Sequence, residues 1–288
     1  MQPPFSFIVL TFNEEQHLPR LLNSIKALNA PLFILDSGST DQTLKIATDF
    51  NAAIKHQAFE NHPKQWDFAI KNFDVKTPWT IGLDADQIVT PELFDQLANF
   101  KDDEVYKDIN GIYFNRKNFF KGKWIKFGGY YPKYLMKMFR TGIGFSDTNE
   151  NMDHRFVVPG KTIIWKKGHI LEENLKENQI SFWIAKHNRY SDLVAEEEIE
   201  RMQALRAQTI RPSIVGNPDQ RTAYLKSLWW KLPRGLRSFA YFSYRMTFKL
   251  GFLDGKTGIL FHFLQGFWFR LMVDVKITEK LKERLKDD

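Results

Sequence analysis

Asp84 and Asp86 are separated by a single residue and directly follow the apolar run from Trp79 to Leu83. Two carboxylates at this spacing can reach one divalent cation if the backbone bends between them, as it does where a buried strand ends. Their hard oxygens suit Mg²⁺ or Mn²⁺, and Mg²⁺ usually completes its shell with water and phosphate oxygens. A polar turn between a strand and a helix explains the same pair. The pair alone therefore leaves a metal clamp and a turn as alternatives.

Two other polar stretches follow apolar runs in the same way. They are Thr11-Phe12-Asn13-Glu14 and Asp36-Ser37-Gly38-Ser39-Thr40-Asp41. The Asp36 carboxylate can accept a hydrogen bond from a ring N–H of a nucleobase, Gly38 lets the backbone approach a ligand closely, and the hydroxyls can reach a ribose. A capped turn is the alternative here too. Three such stretches favour a phosphate-bearing ligand with a metal ion over three unrelated turns.

The elements that would position these residues alternate between strand and helix. Continuous apolar runs predict buried strands, and apolar residues at helical spacing predict helices between them. The predicted strands cover residues 5–10, 32–35, 53–56 and 79–83, and the predicted helices cover residues 14–28, 41–50, 64–73 and 90–100. This alternation predicts an α/β fold with a mostly parallel sheet flanked by helices on both faces. In such sheets ligands bind beyond the carboxyl ends of the strands, where the three polar stretches fall.

The region from residue 101 to 210 is less regular. Strands are predicted at residues 111–115 and 135–139, and a helix is predicted at residues 178–207. Four glutamates of that helix are expected to form a solvated face: Glu196, Glu197, Glu198 and Glu200. Residues 211–218 contain two prolines and a glycine and are the best candidate for a linker.

The chain has 288 residues, enough for one α/β domain with an appendage, and contains no cysteine. Disulfide scaffolds, cysteine-ligated zinc and thiol nucleophiles are therefore excluded. No basic region precedes the first short apolar run, so we expect no signal peptide and a catalytic part in the cytoplasm.

Positive charge is concentrated near the C-terminus. Residues 221–288 hold 14 Lys and Arg against 6 Asp and Glu, whereas residues 1–220 hold 27 against 28. Aromatic residues are interleaved with these cations. The longest uncharged run, Thr257 to Phe269, has 13 residues, and a helix needs roughly 20 to cross a bilayer. A membrane-spanning helix is therefore not expected.

The aromatic residues of this region predict contact with a membrane surface. Five apolar residues fall near one helical face while Arg245 and Lys249 lie elsewhere: Phe239, Phe242, Met246, Leu250 and Leu253. This pattern is typical of helices that lie among anionic lipid headgroups. A helical pair packed on the preceding domain or on a partner subunit is the alternative. Without a recognisable DNA or RNA module, we expect no nucleic-acid partner.

Three stretches resemble, in order and spacing, the family 2 glycosyltransferases, which have the GT-A nucleotide-sugar-binding fold: FIVLTFNEE, ILDSGSTDQT and GLDADQIVTPEL. Three more, which begin NRKNFFKGKW, KHNRYSDLV and FKLGFLDGK, resemble the bacterial branch that acts in lipopolysaccharide core and exopolysaccharide assembly. The resemblance implies a catalytic domain over residues 1–215, with a nucleotide-binding half (1–100) and an acceptor half (101–215), and a helical membrane-surface region over residues 216–288.

The resemblance also implies roles for single residues. Thr11, Asn13 and Glu14 would line the nucleotide, and Asp36 would face a pyrimidine base with Ser37 and Ser39 nearby. Asp84 and Asp86 would hold the metal and diphosphate, with Asp86 the stronger candidate for direct metal contact. The branch has Gln-Lys-Asn after its third strand. This chain has Gln65-Trp66-Asp67, so the resemblance supports only Gln65 as a nucleotide-binding residue.

Inverting glycosyl transfer also needs a carboxylate that removes the proton from the acceptor hydroxyl. The family places it after a strand in the second half of the domain, and TNENMDHR offers Glu150, with Asp153 as the alternative. His169 and His154 are candidates for a third metal or diphosphate contact, or are ordinary hydrogen-bonded histidines. Arg140, Lys133 and Lys137 are either phosphate contacts or surface charges.

The expected function is an inverting glycosyltransferase dependent on Mg²⁺ or Mn²⁺ and bound peripherally to the inner membrane. It would move a sugar from a nucleoside-diphosphate sugar, with UDP expected, to a lipid-linked or lipopolysaccharide-type acceptor. A nucleotidyltransferase is one alternative, although acidic Thr-Phe-Asn-Glu-Glu is a poor triphosphate loop. A membrane-bound scaffold with an inactive nucleotide pocket is the other.

Overall fold

The computed structural model describes residues 2–149, 154–203 and 209–287. These residues form two compact units. The first contains residues 2–117, 133–148 and 154–175, and the second contains residues 118–132, 149, 176–203 and 209–287. The observed division differs from the predicted boundary after residue 215, because a long helix before that point shares its apolar core with the C-terminal helix.

The first unit begins with alternating strands and helices. The strands are β1 (Phe5–Thr11), β2 (Leu32–Asp36), β3 (Ala53–His56), β4 (Trp79–Asp84) and β5 (Gln87–Val89). The helices are α1 (Leu18–Ile25), α2 (Thr43–Asp49), α3 (His62–Asn72) and α4 (Pro91–Ala98). The four strands predicted in this region are present with bounds that differ by at most one residue. The short strand β5 was not predicted.

The rest of the chain adds further strands. They are β6 (Ile109–Phe120), β7 (Lys123–Ile125), β8 (Lys133–Arg140), β9 (Phe145–Ser146), β10 (Phe156–Val157), β11 (Lys161–Ile164) and β12 (Ile170–Glu172). Among the described residues, one sheet has the order β3-β2-β1-β4-β8-β6-β12-β5, and β7 and β11 also pair with β6. The strands β3, β2, β1 and β4 are parallel, and β8 pairs antiparallel with both β4 and β6.

Apolar side chains cover both faces of β1 and β2, whereas β3 at the edge of the sheet is exposed. Along β1, Phe5, Phe7 and Val9 pack with helices α1, α2 and α4, while Ile8 packs on the opposite face with α3. This alternation follows from the two-residue period of a strand. The predicted α/β fold with helices on both faces of the sheet is therefore confirmed, and the parallel pairing applies to its first four strands.

The second unit is mainly helical. Its helices are α5 (Ile180–Met202), α6 (Pro218–Trp229), α7 (Leu236–Met246), α8 (Gly255–His262) and α9 (Phe269–Asp287), with a π-helical stretch, Phe263–Trp268, between α8 and α9. Val194, Ala195 and Ile199 of α5 pack against the apolar face of α9. Within the part of the chain that the structure describes, no helix is long and apolar enough to cross a membrane.

The predicted solvated face of the long helix is wrong at one position. Glu198 of α5 is only 6% exposed. Its carboxylate accepts a hydrogen bond of 2.8 Å from Nη2 of Arg237 on α7. A buried glutamate requires a cationic or hydrogen-bonding partner, and this partner lies 39 residues further along the chain.

Gly82 provides a test of packing on the α3 face of the sheet. A Cβ atom at this position would lie 2.3 Å from the Phe156 ring and 3.1 Å from the Trp66 ring. Both rings are buried. We therefore expect Gly82→Ala to lower the free energy of unfolding by about 1–3 kcal/mol, measured by urea denaturation. In the Phe156→Leu background, where the neighbouring ring is absent, Gly82→Ala should lower the free energy of unfolding by less than it does in the wild-type protein. Equal stability of Gly82→Ala and wild type would contradict the packing argument.

Candidate functional site

Strand register brings the three polar stretches to one edge of the sheet. Thr11 pairs with Asp36 between β1 and β2, and Leu10 pairs with Asp84 between β1 and β4. The carboxyl ends of three adjacent parallel strands therefore coincide. This is the edge at which open α/β sheets bind ligands.

Asp36 is buried and fully engaged by its own loop. Its Oδ1 accepts hydrogen bonds from Thr11 Oγ1 (2.9 Å) and Ser39 Oγ (2.5 Å), and its Oδ2 accepts from the backbone N–H groups of Gly38 (2.8 Å) and Ser39 (2.7 Å). Only 1% of the residue is exposed. In this state the carboxylate shapes the loop after β2, and its contact with a base stays a prediction.

Asn13 joins the loops that follow β1 and β2. Its backbone N–H donates to Ser39 Oγ (2.8 Å), and its side-chain oxygen accepts from the Thr40 N–H (2.8 Å). The backbone of Asn13 has φ 53°, a left-handed conformation that asparagine tolerates better than most residues. The two loops that would contact a nucleotide are thus held together by the predicted site residues Asn13 and Ser39.

Glu14 is tied to a buried histidine. Its carboxylate contacts Nδ1 of His17, and its backbone N–H donates to Thr43 Oγ1 at 2.7 Å. The N–H of Leu175 donates to Nε2 of His17 at 2.8 Å, so the ring proton is on Nδ1. The contact with His17 holds Glu14 at the start of α1.

Gln65 links helix α3 to the loop after β2. Its side-chain nitrogen donates to Ser37 Oγ (2.6 Å) and to the Gln57 carbonyl (2.9 Å), and the residue is 3% exposed. Asn61 caps the same helix by accepting from the Lys64 N–H at 2.9 Å. The structure therefore brings Gln65 and Ser37 together, as two candidates for the same ligand pocket.

Asp84 is held by a lysine from the antiparallel part of the sheet. Lys137 on β8 is 4% exposed, and its Nζ donates to Asp84 Oδ2 at 2.9 Å. The side-chain nitrogen of Gln87 donates to the same oxygen at 2.9 Å. The second oxygen, Oδ1, lies 3.3 Å from Nε2 of His62. Lys137 is therefore not a surface charge, and one of the two Asp84 oxygens is already shared by two donors.

Burial alone would raise the pKa of Asp84, but the positive charge of Lys137 and the hydrogen bond with His62 outweigh it and hold the pKa well below its usual range. The same carboxylate region is fixed from the other side, because Gln87 also donates to Glu172 (2.8 Å), which accepts from Arg116 (2.7 Å). Asp84 is thus an anion at neutral pH, and Gln87 links it to the Glu172–Arg116 ion pair.

His154 lies against the same cluster as a neutral ring. Burial lowers its pKa well below the ordinary value, and the neighbouring His62 and Lys137 lower it further. Ser146 donates its hydroxyl proton to the Pro63 carbonyl (2.9 Å) and accepts from His154 Nδ1 (3.2 Å). The lone pair of His154 is therefore on Nε2, which is buried and has no hydrogen-bond partner among the described residues.

Asp86 occupies the turn between β4 and β5 and is half-buried. Its Oδ2 accepts from the Asn174 side chain at 3.3 Å, and its backbone carbonyl accepts from the Glu173 N–H at 3.1 Å. Within residues 2–149, 154–203 and 209–287, no three acidic or histidine side chains form a complete metal site. Asp86 and Oδ1 of Asp84 carry the hard oxygens that would hold a divalent cation, with phosphate oxygens and water as its remaining ligands.

Some predicted residues lie elsewhere. His169 precedes β12, and its backbone exchanges hydrogen bonds with Thr90, at the opposite end of the β5–β12 pair from Asp86. The structure does not bring His169 together with the two aspartates. Arg140 donates to Asp102 at 2.7 Å and lies over the Trp79 ring at the start of β4, so it is a structural residue. The predicted bases, Glu150 and Asp153, lie outside the described residues.

Sequence reasoning missed two members of the cluster, His62 and Gln87. Gln87 directly follows the Asp-Ala-Asp motif, and its position on a strand next to Glu172 depends on the unpredicted pair β5–β12. His62 starts α3 and reaches Asp84 because α3 packs on the face of the sheet that carries Ile8 and Leu35. The position of Gln87 one residue after the Asp-Ala-Asp motif was the sequence signal available for it.

The ion pair can be tested with Asp84→Asn, Lys137→Met and the double variant. Each single change leaves a partly or fully buried charge without its partner, so we expect a coupling free energy of about 1–3 kcal/mol at pH 7. Because the folded pKa of Asp84 is depressed, this contribution is complete above the ordinary aspartate pKa of about 4 and is lost as the pH falls through the folded value. Urea denaturation between pH 7 and about 3 measures it. Additive single effects would contradict the pair.

Comparison with known proteins gives relatives of one kind. An uncharacterized glycosyltransferase of Rickettsia bellii is 30% identical over 92 residues, which cover 32% of this chain and 31% of that protein. An uncharacterized glycosyltransferase of Rickettsia typhi matches with the same identity and coverage. The matched segment thus spans under a third of the length of these relatives.

Solved structures with some likeness include two bacterial proteins. Residues 1–349 of Staphylococcus aureus TarS are 18% identical, with 67% of this chain and 64% of that chain covered and a TM-score of 0.39. Glucosyl-3-phosphoglycerate synthase from Mycobacterium tuberculosis, in complex with Mn²⁺, uridine diphosphate and phosphoglyceric acid, is 20% identical, with 42% and 44% covered and a TM-score of 0.30.

The sequence model of one family covers more of the chain than the two Rickettsia glycosyltransferases do. The model described as "Glycosyl transferase family 2" matches residues 6–155. This segment is just over half of the 288 residues and contains the strand ends at Thr11, Asp36 and Asp84. The chain belongs to glycosyl transferase family 2.

Proposed function

We propose that this protein is an inverting glycosyltransferase that moves a sugar from a nucleoside-diphosphate sugar, with UDP as the expected nucleotide, to a lipid-linked or lipopolysaccharide-type glycan. The observation that carries the proposal is the register that aligns Thr11, Asp36 and Asp84 at one sheet edge in a family 2 chain. The proposed place of action is the cytoplasmic surface of the inner membrane.

In this proposal the nucleotide lies against loops that are already ordered. Asn13 and Ser39 connect the loops, and Gln65 holds Ser37 in place. Phe12 exposes 54% of its side chain beside Thr11, which supports a role for its ring in stacking on a base. Asp36 then acts through the loop it organises. Ordered loops reduce the entropy that binding must otherwise overcome.

The two aspartates have different proposed roles. A bound Mg²⁺ or Mn²⁺ would neutralise the charge that develops on the departing diphosphate. Asp86 is the proposed direct ligand, and Asp84 contributes through Oδ1, because Lys137 and Gln87 occupy its Oδ2. Lys137 keeps the site from accumulating negative charge before the diphosphate arrives. The unpaired lone pair of His154 Nε2 supports a contact with a ligand hydroxyl or the cation.

The proposed activity is tested with purified protein and a panel of nucleotide sugars, following nucleoside-diphosphate release with and without membrane lipids. A nucleotidyltransferase would instead release pyrophosphate from a nucleoside triphosphate. A scaffold would show no metal-dependent change when UDP-glucose and Mn²⁺ are titrated. Either result would replace the proposed function.

Asp86→Ala tests the metal role. We expect it to reduce transfer at least about 100-fold, because the diphosphate would lose its main charge stabilisation. Asp95→Ala, a change at an exposed aspartate of α4, is the matched control and should leave transfer unchanged. Transfer rates and urea denaturation are measured for both. Undiminished turnover of folded Asp86→Ala would remove Asp86 from the mechanism.

Glu150→Gln tests the proposed base. General-base removal typically costs about 10²–10⁴-fold in rate, so kcat should fall by that order while the Kd of the donor stays within about twofold. The matched variant Asp153→Asn should have a small effect. A large loss in Asp153→Asn together with an unchanged rate in Glu150→Gln would transfer the role to Asp153.

A further inference from the structure

Helix α7 has its charged side chains inside and its apolar side chains outside. Arg237 and Arg245 are 3% and 2% exposed, whereas Leu236 and Phe239 are 63% and 60% exposed. Leu236, Phe239, Ala240 and Tyr244 recur at helical spacing on the exposed face. This arrangement is the reverse of a helix that faces water, in which the apolar stripe turns to the core.

The first buried arginine is neutralised by two acids of the second unit. Nε of Arg237 donates to Asp274 Oδ1 at 2.8 Å, and its Nη2 donates to Glu198 Oε2 at 2.8 Å. Burial alone would lower the pKa of Arg237, but the hydrogen bonds with Asp274 and Glu198 raise it. Asp274 also accepts from the Gly235 N–H at 2.6 Å. These contacts fix which face of α7 turns inward.

The second buried arginine belongs to another network. Arg245 donates from Nε to the Gly128 carbonyl (3.0 Å) and from Nη2 to Nδ1 of His262 (2.8 Å). His262 then donates from Nε2 to Asp254 at 3.0 Å, and Asp254 accepts from the Lys126 and Phe127 N–H groups. These bonds connect residues 126–128, α7, Asp254 and α8 of the second unit. The orientation of α7, with its apolar residues outward, is therefore set by contacts with the rest of the unit.

Apolar exposure continues over the neighbouring elements. The large apolar residues that are at least 40% exposed between residues 225 and 263 are Leu225, Leu228, Leu232, Leu236, Phe239, Tyr244, Phe248, Leu250, Phe252, Leu253, Ile259, Leu260 and Phe263. Ring contacts join α6, α7 and the π-helical stretch. The centroids of Trp229 and Tyr241 are 5.4 Å apart, and that of Phe242 lies 6.1 Å from those of Phe263 and Phe267. We call residues 225–263 with these exposed side chains the apolar-basic surface.

The exposed charges of this surface have one sign. Lys231, Arg234, Lys249 and Lys256 are exposed. The one acidic residue in the sequence from 225 to 263 is Asp254, which is 2% exposed and engaged with His262. A partner that covers this surface must therefore be both apolar and negatively charged.

We propose that the apolar-basic surface docks on an anionic lipid bilayer, with its leucine and phenylalanine side chains among the acyl chains and its lysines and arginines at the lipid phosphates. Interfacial helices have this combination of exposed Phe and Leu with Lys and Arg. Long cationic side chains place their stems along apolar surface and their charges at the headgroups. Lysine is depleted in protein–protein interfaces, so a second protein chain fits this surface less well.

This inference rests on the membrane location included in the proposed function, and its test requires neither sugar donor nor acceptor. The purified full-length chain is sedimented with vesicles of phosphatidylglycerol and phosphatidylethanolamine, and with vesicles of phosphatidylcholine alone. We expect binding to the anionic vesicles and at least about tenfold weaker binding to phosphatidylcholine, because each cation near an anionic surface contributes substantially to attraction. If the protein did not bind vesicles, glycosyl transfer measured with a soluble acceptor would be unaffected, so the two proposals fail separately.

Phe248→Ser with Phe252→Ser tests the apolar part. These rings are 80% and 49% exposed, so the variant should keep wild-type stability. Since burial of an exposed Phe is worth about tenfold or more in partitioning, we expect vesicle binding at least about tenfold weaker. Val105→Ser, at a residue 77% exposed in the first unit, is the matched control and should bind like wild type.

Lys249→Glu with Lys256→Glu tests the basic part and should weaken binding to anionic vesicles at least about tenfold. Lys101→Glu is the control at an exposed lysine of the first unit. Wild-type protein that does not bind anionic vesicles would overturn the proposal. Wild-type binding to anionic vesicles by both surface variants would overturn it as well. A wild-type dimer that becomes monomeric in Phe248→Ser with Phe252→Ser would identify the surface as a protein interface instead.

Discussion

The buried ammonium of Lys137 constrains the candidate site, because a lysine that is 4% exposed needs an anion within hydrogen-bond distance. Asp84 supplies that anion at the last residue of β4, and Lys137 lies on the neighbouring antiparallel strand β8. The pair therefore joins the parallel and antiparallel parts of the sheet. Gln87 extends the same polar chain to Glu172. The turn that carries Asp86 is thereby held at both ends, which places a half-buried carboxylate at the sheet edge.

The loops after β1 and β2 are also held by a buried carboxylate, which here is satisfied by hydroxyl and backbone N–H donors. Asp36 accepts four hydrogen bonds from Thr11, Gly38 and Ser39, so its charge is satisfied inside the loop after β2. Asn13 joins that loop to the one after β1. These residues shape the two loops whether or not they touch a ligand. Residue types that match a binding motif are thus compatible with roles in preorganisation as well as direct contact.

The sequence was sufficient for β1, β2 and β4, because each is a mainly apolar run that ends in polar residues. It was insufficient for β5, β9 and β10, which have two or three residues and no measurable periodicity. Lys137 was left open between a phosphate contact and a surface charge, because its partner Asp84 lies 53 residues earlier. Glu198 was taken as solvated for the same reason. A local sequence pattern indicates which residues are apolar, but the partner of a buried charge depends on tertiary contacts between residues distant in the chain.

The two units use buried cations in different ways. Lys137 and Gln87 share one oxygen of Asp84, and among the described residues His62 is the neighbour of Oδ1, so the site retains an oxygen that can face a ligand. Arg237, in contrast, is matched by the two acids Asp274 and Glu198, and that network has its charges balanced inside the protein. Because Arg237 is neutralised inside the protein, the basic excess of residues 221–288 is carried by side chains on the outside. Part of this charge pairs within the chain, because Lys276, Lys280 and Arg284 of α9 form ion pairs with Asp192 and Glu196 of α5. The exposed cations between residues 225 and 263 are therefore the ones that remain to face an outside partner.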